Sequence, residues 1–135
     1  VELSVWAEKF NAYRDILAKD ALLVVHGVVS EDSFTGGLKM VAESIQSVYE
    51  ARCSKLSKLQ LTISQSGAAD GWVDQFHRTI SDYGNGNCPI ILEYIVPSAV
   101  GQLSLGRQWL VQPKDELIAR LREDFGKNSV RLHYL

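Results

Sequence analysis

The sequence predicts an α+β fold. Stretches that alternate apolar and polar residues are interleaved with stretches whose apolar residues recur every three or four positions, so strands and helices are mixed along the chain. No segment repeats at a fixed period or is low in complexity. Hydrophobic residues make up 46% and charged residues 22% of the 135 positions, which excludes a disordered or fibrous chain. This length predicts one domain, or a small domain with part of another.

Val1 to Trp6 alternates from the first residue and reads as a strand already under way, which marks the chain as a fragment. Phe10, Tyr13 and Leu17 then share one face of a short helix ending near Lys19. Ala21 to Val29 is apolar and β-branched, predicting a largely buried strand in which Gly27 permits a bulge or a close backbone approach. Ser30 to Gly37 is rich in turn formers and Leu38 to Ile45 resumes a strand, so the two form a hairpin with an exposed loop. Ser47 and Glu50 fit a capping box that opens a helix to about Lys55. The boundary between two parts is expected near residue 46.

In the second part Lys58 to Ile63 alternates cleanly, predicting one apolar and one wet face. A polar linker, Gln65 to Asp70, precedes a helical stripe of Trp72, Phe76, Ile80 and Tyr83, which Gly84 can end in the left-handed conformation. Cys88 to Val96 is a strand, and Gln102–Leu105 with Gln108–Val111 predict a hairpin turning at Gly106–Arg107. Pro113 opens a last helix with Asp115 and Glu116 at its positive end and Leu117, Ile118, Leu121 and Phe125 as its buried stripe, closed by Gly126. Val130 to Tyr134 is the final strand.

Chemistry is sparse. No G-x-S-x-G turn is present, and His26, His77 and His133 sit apart in regular structure, so no catalytic triad is predicted. Cys53 and Cys88 have no CxxC partner and no histidine at ligand spacing, so neither a metal site nor a disulfide is expected, and a reducing cytoplasm is the expected compartment. No cofactor fingerprint is found: Gly84-Asn85-Gly86-Asn87 lacks the rest of a phosphate loop and follows a helix instead of preceding one. The longest apolar run is far short of the ~20 residues of a membrane span, and no leader opens the chain, so no membrane association is expected. Residues 1–50 carry four basic against eight acidic side chains and residues 51–135 ten against eight, too little positive charge for tight nucleic-acid binding. A glycine tip with an aromatic and a nearby cation, Phe34, Gly36, Gly37 and Lys39, is nonetheless the combination that stacks a base and touches a phosphate. Trp109 beside Arg107 is either a core anchor or an interface hot spot.

Val24 to Lys39, together with Tyr13-Arg14-Asp15-Ile16-Leu17, Cys88-Pro89, Leu103-Ser104-Leu105-Gly106, Trp109 to Val111, Pro113-Lys114-Asp115-Glu116-Leu117 and Phe125-Gly126, resembles the C-terminal region of the alpha subunit of bacterial replicative DNA polymerase III, in order and over nearly the whole chain. The resemblance implies a partial OB-fold of three strands and a helix over residues 1–46. A small α/β domain of the tau-binding type, with a mixed sheet and two to three helices, would follow over residues 47–135. It implies a non-catalytic bacterial cytoplasmic piece that tethers the polymerase to the tau subunit of the clamp loader and contacts single-stranded DNA weakly. Phe34, Gly36, Gly37 and Lys39 are the expected DNA contacts. Arg107 and Trp109, placed against the last helix and strand, are the expected tau contacts. The alternative is a free-standing α+β nucleic-acid-binding module, against which the acidic first half argues. With two of five OB strands missing, open strand edges predict pairing with a second copy or a rearranged first half.

Overall fold

In the computed structural model, which describes residues 1–135, strand β1 (Glu2–Ser4), helix α1 (Ala7–Tyr13) and strands β2 (Leu23–Glu31) and β3 (Leu38–Ser47) precede helix α2 (Val48–Lys55). There follow β4 (Leu56–Ser64), α3 (Trp72–Ser81), β5 (Ile90–Val96), β6 (Ala99–Ser104), a 3-10 turn (Arg107–Trp109), α4 (Asp115–Phe125) and β7 (Val130–Tyr134). The architecture is α+β, as the sequence predicts, and both of its sheets are mixed. Two compact units divide the chain, Val1–Ala51 and Arg52–Leu135.

In the first unit the strands are ordered β1-β3-β2, with β1 parallel and β2 antiparallel to β3. The predicted irregularity at Gly27 is present. The register shifts between His26 and Gly27, and a Cβ on Gly27 would overlap the Val41 carbonyl, so only glycine lets the two backbones come this close. The predicted burial of this strand is not observed: Val24, Val28 and Val29 are all largely exposed, and the buried apolar side chains of the sheet are Ala42 and Ile45 on β3. β2 is an edge strand, and β-branched residues suit a pleated surface whether or not anything covers it. Helix α1 also ends early, at Tyr13 instead of near Lys19. The amides of Ile16 and Leu17 both donate to the Tyr13 carbonyl at 3.0 and 3.2 Å, and Asp20 then takes a positive φ of 62°.

The capping box is realised atom for atom. Ser47 Oγ accepts the Glu50 amide at 3.2 Å while Glu50 Oε2 accepts the Ser47 amide at 2.9 Å, and α2 runs to Lys55 as predicted. Two of the orphan donors at its start are thereby satisfied.

The second unit is a four-stranded sheet, β6-β5-β4-β7, with β4 parallel to β5 and antiparallel to β7. A parallel pair needs a crossover, and α3 supplies it between β4 and β5. One face of the sheet presents Leu59, Leu61 and Ile63 from β4 beside Ile90 and Leu92 from β5, and these join Phe76 and Ile80 of α3 and Leu117, Ile118 and Leu121 of α4 in one core. Phe76 meets Phe125 edge-on at 6.2 Å and Trp72 stacks on Tyr94 at 6.0 Å. Burial pushes the Cys88 thiol up to about 11, so it stays protonated and inert at neutral pH. The half-buried Arg52 clips the last turn of α2 to the start of α4, donating to Asp115 at 2.6 Å and to the Pro113 carbonyl at 3.0 Å.

Three expectations are corrected here. Gln102–Leu105 and Gln108–Val111 do not form a hairpin at Gly106–Arg107. Instead β6 turns back at Pro97–Ser98 to pair with β5, Arg107–Trp109 coils into a 3-10 turn, and Val111 bridges Cys88. Beyond α3 the left-handed residue is Asn85 (φ 58°), not Gly84, because asparagine tolerates that region better than most side chains. The second face of β4 is not simply wet: Gln60 is buried, its side chain 2.8 Å from His133 Nε2.

Candidate nucleic-acid and partner interfaces

The hairpin loop of the first unit is organised by Asp32, one of the turn formers of Ser30 to Gly37. Its Oδ1 accepts the Phe34 amide at 3.1 Å and its Oδ2 the Thr35 hydroxyl at 2.9 Å. The Asp32 amide donates to Gly37 and the Gly36 amide returns to the Asp32 carbonyl, both at 2.8 Å. This is an aspartate-nucleated turn, for which an Asp followed by glycines was the available signal. Gly36 sits at φ 67°. Phe34 projects from the tip 96% exposed, and the Lys39 ammonium lies 4.0 Å from Asp32 Oδ1. The loop thus presents a bare aromatic ring at its tip, and the cation that follows it on β3 is partly neutralised by Asp32. It is a closed turn and not a slack tip.

The Phe34 amide first, then the Thr35 hydroxyl and more weakly Lys39, hold the Asp32 carboxyl below its ordinary value of 3.8. Its folded value being the lower one, this carboxylate stabilises the turn above the ordinary value and loses that contribution as pH falls through the folded one. Asp32→Ala should leave the sheet folded and speed hydrogen exchange at the Phe34 and Gly36 amides, read by NMR. Unchanged exchange would show that the carboxylate does not organise the loop.

In the second unit Trp109 is half-buried and Arg107 exposed. The Trp109 ring meets His77 of α3 edge-on at 5.1 Å, so its aromatic neighbour is on α3 and not on the last helix or strand. The flanking chain is stitched to the loop after α3: the Gly86 amide donates to Leu110, the Gln112 amide to Tyr83 at 2.8 Å and the Gln112 side chain to Gly84 at 3.1 Å. A rigid loop therefore fixes where Trp109 and Arg107 stand. His77, read from the sequence as an unremarkable histidine, is part of this surface.

On the sheet face opposite the helices, Glu93 accepts Gln102 Nε2 at 2.9 Å and the Thr62 hydroxyl at 3.1 Å. Those bonds, with smaller contributions from Gln60 and Arg131, hold its carboxyl below the usual range.

Along nearly its full length the chain aligns with known proteins. It is 37% identical to the DNA polymerase III subunit alpha of Pseudomonas aeruginosa over 138 aligned positions, 31% to that of Pasteurella multocida over 134 and 30% to that of Escherichia coli K12 over 134, each alignment covering 99% of the chain. Residues 75–126 match the family described as DNA polymerase III subunit alpha, C-terminal domain. The chain is similar to DNA polymerase III alpha subunits, and over residues 75–126 to their C-terminal domain. It spans 11–12% of the length of these curated relatives. The stretch that matches this C-terminal domain runs from within α3 through α4 and contains Arg107 and Trp109. The Phe34 loop lies outside that stretch but inside the full-length alignments to alpha subunits. No helix is long and apolar enough to cross a membrane.

Proposed function

We propose that this chain is a non-catalytic C-terminal piece of a replicative DNA polymerase alpha subunit, which tethers the polymerase to the tau subunit of the clamp loader in the bacterial cytoplasm. The observation that carries this reading is the 99% coverage of the chain by alignments to alpha subunits. Docking is assigned to the second unit, where a half-buried tryptophan with an exposed arginine two residues away, on a hydrogen-bonded loop, offers the desolvated anchor and polar surround of an interface hot spot. The test is calorimetric titration of the chain with the C-terminal domain of a matching tau subunit. One-to-one binding at micromolar or tighter affinity is expected, and Trp109→Ala should weaken it by about tenfold or more while circular dichroism shows the fold retained. Unchanged affinity in a folded variant would move the site off Trp109.

A secondary contact with single-stranded DNA is assigned to Phe34, Gly36, Gly37 and Lys39. Its support is the exposed Phe34 ring and the Lys39 ammonium carried by one hydrogen-bonded hairpin. Because Lys39 is already shared with Asp32 and the unit is acidic, the contact is weak and falls with rising salt.

A further inference from the structure

We infer that the free edge of β6 pairs with the same edge of a second copy of this chain, forming a two-fold dimer with one continuous sheet. The inference goes beyond tau and DNA binding and uses different residues.

Natural sheet edges are protected by charge, proline, bulges or a covering segment. The other edge of the same sheet, β7, carries Arg131 and His133. In the first unit, β1 carries Glu2 and β2 carries His26, Glu31 and the register shift. β6 reads Ala-Val-Gly-Gln-Leu-Ser: no charge, no proline, unbroken register with β5, and exposed at every position.

The direction of its unpaired groups follows from one hydrogen bond. The Leu105 amide donates to the Ile90 carbonyl at 3.0 Å. With the β5–β6 register, this places the backbone groups of Leu103, Gly101 and Ala99 toward β5, and those of Val100, Gln102 and Ser104 outward. An antiparallel second copy centred on Gln102 sets Gln102 opposite Gln102 and Val100 opposite Ser104, exchanging about six backbone hydrogen bonds. The same register sets each Leu103 opposite the partner's Gly101 in a non-hydrogen-bonded pair, where side chains approach most closely.

That match is the selective feature. Gly101 and Leu103 lie on the face of Leu92 and Tyr94, where they and Trp72 line an open apolar groove of about 320 Å³. Leu103 is 61% exposed. The two-fold therefore delivers an exposed leucine to a groove left open by a missing side chain, once in each direction, with no like charges brought together. That reciprocity is what an isologous interface requires. An edge-to-edge contact is small, so the dimer is weak and concentration-dependent.

The test is sedimentation equilibrium of the 135-residue chain over a wide concentration range, with hydrogen exchange at two concentrations. A monomer–dimer equilibrium is expected, with the Val100, Gln102 and Ser104 amides protected only at the higher concentration. Gly101→Val should weaken dimerisation about tenfold or more without lowering Tm, since a Cβ there meets nothing within 4 Å. Leu103→Lys should do the same by placing a charge at the groove. A chain that remains monomeric throughout overturns the inference. So does a dimer whose dissociation constant neither variant moves, or protection of these amides only on adding a different protein.

Discussion

Gly86→Ala is expected to unfold the second unit at temperatures where the unchanged chain is folded. A Cβ at this position would overlap the Val111 carbonyl and the Gln112 nitrogen, which are main-chain atoms with no rotamer to move into. Those atoms are held in place, because Val111 exchanges two hydrogen bonds with Cys88 and the Gln112 amide is bonded to Tyr83. Relief requires separating the 83–88 loop from the 110–112 segment, breaking several hydrogen bonds and opening the fully buried Val111. Overpacking of a side chain costs about 1–3 kcal/mol, and a clash with fixed backbone belongs at or above the top of that range. Because the same loop positions Trp109, Gly86→Ala should abolish the proposed tau binding together with the thermal transition of this unit. Gly84→Ala is the matched control, since its Cβ would touch only the Ser81 carbonyl, at 3.5 Å. A Gly86→Ala variant melting within a few degrees of the parent would show that the two segments separate freely.

Leu121→Ala is the second large effect. Leu121 is 0% exposed and lies in the core shared by α4, α3 and the sheet. Truncation there should cost about 2–5 kcal/mol, against a total of roughly 4–13 kcal/mol for a unit of this size. Denaturant titration followed by tryptophan fluorescence reads it, because Trp72 and Trp109 pack against this core. The midpoint should fall sharply with the slope unchanged, whereas Leu121→Met, which keeps the volume, should cost less than about 1.5 kcal/mol. Equal midpoints for the two variants would place the packing constraint elsewhere.

Features governed by short-range chemistry were legible in the sequence. Ser47 and Glu50 make their reciprocal bonds within four residues, and the close approach at Gly27 needs only one missing side chain. Both helices of the second unit follow from apolar spacing. The misplaced hairpin has a different cause, partners distant in sequence. Gly106–Arg107 has the residues of a hairpin turn, but Leu103 is claimed by Leu92 and Val111 by Cys88, and tertiary pairing overrides local turn preference. The exposure of β2 was equally hidden, since a β-branched run states that a strand forms and not what covers it. At the candidate sites the residue types Phe34, Lys39, Arg107 and Trp109 were legible from composition. The contact of His77 with Trp109 was not, because it joins residues far apart in the sequence that the fold brings together.

The placement of β4 has a consequence for the chain as it is made. Leu59 and Leu61, which end fully buried, need β7 on one side, and Leu61 pairs with Val130, about 70 residues downstream. At the usual ~5–20 residues per second of synthesis, that edge waits roughly 4–14 s for its partner. For this interval an apolar strand with open hydrogen-bonding groups is displayed on the nascent polypeptide, the kind of segment that folding helpers bind and that neighbouring chains on a polysome can capture. Slowing translation between β4 and β7 should therefore lower the soluble yield of this unit more than it changes the stability of the finished molecule.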